Sequence, residues 1–199
     1  MITDPALKNK MILIHGVMMA FVWLIAVPSA ILLSMYARKK KKPWGPKVHM
    51  LIMASAAFIP YTVSAILAFT VAGQINPKPH SSIGTVLSVG LWCQVTLGVV
   101  NHLVFRYRRK NNCLPNKRPW NNYVHIWLGS ILAVLALVNI PLGMRIKRAP
   151  MSFFIGYAVW VTVLASAYLY LTWMKEEATH ASIEHKTHPE EIKIANETK

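Results

Sequence analysis

The stretch YVHIWLGSILAVLALVNIPLGM, residues 123–144, runs for twenty-two residues without one charged side chain. At 1.5 Å per residue, about 20 helical residues cross the ~30 Å of bilayer hydrocarbon, so this segment is long enough to span. A helix on a soluble core would interleave polar positions at helical spacing, so that one face met water; this one does not. Four further apolar runs share the property: 11–36, 48–72, 80–107 and 151–174. Charged residues make up 15% of the chain, against ~25% in soluble domains, and all but Arg106, at the end of one run, fall outside the runs. The expected fold is therefore all-α, an integral membrane bundle of five transmembrane helices. Pro28, Pro60 and Pro141 lie inside runs, where neighbouring helices can satisfy the carbonyls a proline leaves free, so kinks are expected rather than breaks.

The formal net charge is +15. Its basic residues flank the spans instead of lining one soluble face, which argues against nucleic acid and for topology and anionic lipid headgroups. Arg38, Lys39, Lys40, Lys41, Lys42 and Lys47 follow the first span, and Arg106, Arg108, Arg109, Lys110, Lys117 and Arg118 follow the third. Those twelve face six on the other side: Lys8, Lys10, Lys78, Arg145, Lys147 and Arg148. The positive-inside rule places the twelve in the cytoplasm. Residues 1–10 become a short extracytoplasmic N-terminus, 11–174 the transmembrane domain, and 175–199 a polar cytoplasmic tail with His180, His185 and His188. Arg145, Lys147 and Arg148 run against the rule. Cys93 and Cys113 are not expected to pair, and no Cys-x-x-Cys-His occurs, so covalent haem attachment is not expected.

Ionisable residues inside a membrane are costly and mark functional positions. Four spans carry a histidine near their N-terminal end: His15, His49, His80 and His125. Because helix direction alternates, His15 and His80 should lie near the outer face, and His49 and His125 near the inner face. Each pair can ligate one haem iron from both sides, giving a four-helix, two-haem core with a peripheral fifth helix. With both axial positions filled, one-electron transfer is the remaining chemistry. Unrelated core histidines are the plainer explanation, but four at matched depths favour the paired one. His80 is followed by Gly84 and Gly98, and His125 by Gly129 and Gly143, at the same +4 and +18 spacing. Those positions lie near the histidine's own helix face, and +18 is ~27 Å along the axis. Gly98 should then stand at the level of the inner pair and Gly143 at the outer pair, offering smooth surface to a macrocycle. Small residues that only let helices pack closely are the alternative. Met19 and Met53 read as soft packing. His102 rivals the inner ligands but reads better as interfacial snorkelling or a proton or anion contact. Trp23, Phe58, Tyr61 and Trp92 are candidates for the space between the two sites.

His15-Gly16-Val17-Met18-Met19, followed by Trp23, Pro28 and Arg38, resembles the first core helix of cytochrome b561 domains. His80-Ser81-Ser82-Ile83-Gly84, with Gln94, Gly98, His102 and Arg106, resembles the third. Val124-His125-Ile126-Trp127-Leu128-Gly129, with Asn139 and Gly143, resembles the fourth, and His49 stands where the second ligand belongs. The likeness is greatest to the fungal branch often fused to a DOMON domain, although no DOMON stretch precedes Lys10. It implies two non-covalent haem b groups and electron transfer across the membrane. A cytoplasmic reductant such as ascorbate would be the donor, and ferric iron or monodehydroascorbate the acceptor. A ferric or monodehydroascorbate reductase activity follows as an open expectation. The ascorbate-associated motif has only a loose counterpart in Tyr36-Ala37-Arg38, and Arg38 is carried over as a cofactor-binding candidate. Expected partners are the lipid bilayer and a small-molecule or protein donor and acceptor, with a homodimer left open. The rival readings are a histidine-lined metal or proton transporter and a non-catalytic haem subunit.

Overall fold

Asp4 starts the first helix earlier than hydropathy alone indicates. Its carboxylate accepts a hydrogen bond from the Ala6 amide at 2.8 Å, and Pro5 fills the first helical position, where its missing N–H costs nothing. The computed structural model describes residues 4–72, 78–115 and 117–175. Five long helices result: α1 (Pro5–Lys39), α2 (Gly45–Val71), α3 (Pro79–Lys110), α4 (Trp120–Ile146) and α5 (Met151–Trp173). Each is long and apolar enough to cross a membrane, and no strand occurs among the described residues. The fold is the expected all-α bundle. Residues 5–10, expected as a short lead-in, are the first turns of α1.

Three helices stop by one device. Lys41, Asn112 and Arg148 adopt positive φ just after α1, α3 and α4. The next amide in each case reaches back five residues: Lys42 to the Ala37 carbonyl, Cys113 to Arg108 and Ala149 to Met144. This is the Schellman closure, which satisfies end carbonyls and turns the chain sharply. Behind the first turn, Gly45 lies so close to α1 that an added Cβ would stand 2.7 Å from the Ala37 Cβ.

The helices pair as α1 with α2 and α3 with α4, and α5 lies against α1. Lys147 Nζ donates to Asn9 Oδ1 at 3.2 Å, and Lys39 Nζ to the Thr172 carbonyl at 3.4 Å. The start of α1 and the end of α4 thus share one face (the N-face), and the ends of α1 and α5 share the other (the C-face). Val22, Trp23, Ala26, Ala57, Tyr61, Leu87, Leu91, Leu132 and Ala136 form a buried cluster at mid-depth, with Met19 and Met53 packed on it. Burial of this cluster is slight help in lipid, where helix association rests on close packing and polar contacts. Gly90 meets that need: a Cβ there would come 2.5 Å from Leu132 Cδ2.

The prolines do not break their helices. Pro28 follows a π-helical segment in α1, Val22–Ala26, and Pro60 follows another in α2, Met53–Phe58. Val27 N–H reaches the Val22 carbonyl, a five-residue step. Each segment admits an extra residue into its helix. Pro141 sits in α4 with no such segment.

Candidate functional site

His15 and His80 meet near the N-face. Their ring centres are 6.3 Å apart and their planes cross at 82°. His49 and His125 lie within electrostatic reach of each other toward the C-face. Each pair takes one residue from α1 or α2 and one from α3 or α4, so the two hairpins face each other through their imidazoles. All four rings are half-buried.

The far side of three of the four rings is held by backbone. His15 Nδ1 bonds the Ser64 carbonyl at 2.9 Å, His49 Nδ1 the Ala30 carbonyl at 3.2 Å, and His80 Nδ1 the Asn139 carbonyl at 3.1 Å. A carbonyl can only accept, so Nδ1 carries the proton and Nε2 is left with its lone pair. His125 Nδ1 faces the Gln94 carbonyl without completing a hydrogen bond. Ser64, fully buried, adds an Oγ contact to His15 Nδ1 at 3.0 Å and donates to the His15 carbonyl at 3.1 Å.

These contacts are reciprocal within each hairpin. α1 sends His15 to α2 and offers Ala30 to His49; α3 sends His80 to α4 and presents Gln94 to His125. The accepting carbonyl lies fifteen residues beyond the histidine in α1 and α2, and fourteen beyond it in α3 and α4. The π segments fall between histidine and carbonyl in the first two helices only, and their extra residue accounts for the difference. Four residues after each carbonyl stands a small side chain: Ser34, Ala68, Gly98 or Gly143. In a helix that position covers the carbonyl, so a bulky residue would shut the imidazole out.

All four candidate glycines face their partner helix. A Cβ on Gly143 would sit 2.8 Å from His80 Cε1, and one on Gly98 would sit 3.3 Å from His125 Cε1. On Gly129 it would meet Gln94 Nε2 at 2.5 Å, and on Gly84 it would meet Asn139 Nδ2 at 3.8 Å. Gln94 Nε2 donates to the His125 carbonyl at 2.7 Å. The amides stand fourteen residues after His80 and His125, so a +14 repeat joins the +4 and +18 glycines. That spacing was the available signal for Gln94 and Asn139, whose part in the histidine contacts the sequence reading missed. Their Oε1 and Oδ1 atoms are buried without a partner.

Around this frame the other candidates separate. Trp23 and Tyr61 are buried at mid-depth, edge to face at 6.0 Å, and Tyr61 OH bonds Ser88 Oγ at 2.9 Å. Phe58 and Trp92 also pack edge to face, at 4.8 Å, but Trp92 is 54% exposed and so lies outside the space between the pairs. His102 is half-buried one turn beyond Gly98, and Arg38 is exposed at the end of α1. Lys78, His80 and Arg145 line one open groove at the N-face. Cys93 and Cys113 are unpaired. His180, His185 and His188 lie outside the described residues.

A metal held at about 2 Å by one nitrogen of each of two imidazoles brings their ring centres to roughly 6 Å apart, so the 6.3 Å between His15 and His80 is a separation at which the two rings could hold one metal ion together. No group of three or more His, Cys, Asp or Glu side chains able to hold a metal occurs among the described residues. Two imidazoles suit an iron whose other positions belong to a porphyrin, and the carbonyl behind each ring is the usual second partner of a ligating histidine.

A cytochrome b561 and DOMON domain-containing protein of Arabidopsis thaliana is 28% identical over 178 residues, covering 88% of this chain. This chain spans 42% of the length of that relative. No solved structure matches. Residues 14–151, which include the four paired histidines and the four candidate glycines, match the family described as eukaryotic cytochrome b561, and the chain belongs to that family.

Proposed function

We propose that the protein moves electrons across a membrane through two bis-histidine haem b groups, one between His15 and His80 and one between His49 and His125. Family membership supports transmembrane electron transfer, haem b and an integral multi-pass membrane protein. The observation that carries the finer reading is the His15–His80 pair: ring centres 6.3 Å apart, with Nδ1 of each ring turned to a backbone carbonyl. When bound, haem b supplies reversible one-electron chemistry. The chain's own part is to fix the imidazoles. The carbonyls of Ser64, Ala30 and Asn139 select one tautomer, and Gly98 and Gly143 keep the neighbouring backbone open to His125 and His80. The buried mid-depth cluster keeps water from the space between the pairs. We assign the C-face, with its twelve basic residues, to the cytoplasm, where an anionic reductant such as ascorbate would deliver electrons. An acceptor such as ferric iron or monodehydroascorbate would be reduced at the N-face.

The test is the visible spectrum of the purified protein. Dithionite should produce two low-spin b-type haems. His15→Ala or His80→Ala should remove one, and His49→Ala or His125→Ala the other. Bound metal without porphyrin, or two intact haems in all four variants, would sink the assignment.

A further inference from the structure

The fifth helix begins where the family match ends, at Met151, and most of it is exposed. Two of its side chains nevertheless make polar contacts with the core. Tyr157 OH donates to the Leu137 carbonyl at 2.6 Å, and Trp160 Nε1 donates to the Leu24 carbonyl at 2.9 Å. Both acceptors have one property in common. Each stands four residues before a proline: in an α-helix the Leu137 carbonyl would bond the amide of residue 141, and Pro141 has no N–H, while Leu24 lies in the π segment four residues before Pro28. In hydrocarbon neither an orphan carbonyl nor a free phenol O–H or indole N–H has water to turn to, so the Tyr157 contact satisfies two groups at once and the Trp160 contact satisfies the indole. Tyr157 and Trp160 are three residues apart and share one face of α5, which therefore grips α4 and α1 together.

The gripped carbonyls flank the histidine supports. Asn139, whose carbonyl holds His80, lies between Leu137 and Pro141. Ala30, whose carbonyl holds His49, lies two residues beyond Pro28. We propose that Tyr157 and Trp160 are positioning residues, one for each haem: Tyr157 steadies the α4 backbone that orients His80, and Trp160 steadies the α1 backbone that orients His49. The haem half of this rests on the two-haem reading above.

Tyr157→Phe keeps the ring and removes the donor, and Trp160→Phe keeps a smaller aromatic ring and removes the donor. In the full-length haem-loaded protein, Tyr157→Phe should move the EPR signal of the haem lost in His15→Ala and speed haem loss from that site about fivefold. Trp160→Phe should do the same at the haem lost in His49→Ala. Pro141→Ala returns an amide to Leu137, so Tyr157→Phe should add nothing in that background. Equal disturbance of both haems by either variant, unchanged signals in both variants, or an undiminished Tyr157→Phe effect beside Pro141→Ala would each overturn the proposal. If the purified chain held no haem, the functional reading would fall instead. The grip would then be read from melting temperatures of the Tyr157→Phe and Pro141→Ala single and double variants, with additivity refuting it.

Discussion

At the residue scale, three glycines face different constraints. Gly143→Ala would push a methyl to 2.8 Å from His80 Cε1, against a ring tied to Asn139. Gly98→Ala would reach 3.3 Å from His125 Cε1, whose Nδ1 is less firmly held. Nothing lies within 4 Å of a Cβ on Gly16. The expected order of damage is Gly143→Ala, costing about 1–3 kcal/mol, then Gly98→Ala, then Gly16→Ala, which should be neutral or helpful to the helix. Thermal unfolding and haem content of the three variants check the order; a harmful Gly16→Ala or a silent Gly143→Ala would contradict it. Ser64 is a separate case, because its hydroxyl serves both ends of His15. Ser64→Ala should cost about 1–2 kcal/mol and loosen the haem of the His15–His80 pair, read as faster haem loss.

At the element scale, the π segments tie helix geometry to histidine support. If Val22–Ala26 holds one extra residue, deleting Ile25 should let α1 close into continuous α-helix with Ala30 still facing His49. Deleting Val134 from α4, where no π segment can absorb the loss, should rotate Asn139 away from His80. The reduced spectrum decides: both haems retained in the first deletion and at least one lost in the second. Equal loss in both would mean that the π segments do not set the register. Hydrophobic runs and histidine spacing made the five helices and the histidine pairing legible in the sequence, since depth and face follow from helical rise and period. The backbone partners were not legible. A pattern of side chains does not say that the Leu24 and Leu137 carbonyls accept a neighbour's indole and phenol until those contacts are seen. Nor does α5 advertise a docking face, because lipid and core both favour apolar residues.

At the scale of the whole molecule, charge separates the two ends of the bundle. The C-face carries Arg38 to Lys42, Lys47, and the basic residues from Arg106 to Arg118. Arg38 is exposed where α1 leaves the bundle, on the face toward which the His49–His125 pair lies. Part of this cluster serves structure: Lys39 reaches the end of α5, and Lys41 takes the left-handed turn. A polybasic loop also fixes orientation and attracts anionic lipid whatever its haem does, so net charge alone does not assign a donor site. The two roles differ in their response to salt and to donor charge. Steering of an anion by an exposed cation weakens as the screening length falls to about 10 Å at 0.1 M salt, whereas a structural defect does not depend on the donor. Our hypothesis is that Arg38→Gln slows reduction by ascorbate about threefold at low ionic strength and less at high, while a neutral mediator reduces variant and wild type alike. Stopped-flow reduction with both donors, in protein of unchanged topology, measures this. Equal slowing with the neutral mediator would remove the steering role and leave Arg38 as a determinant of structure or potential.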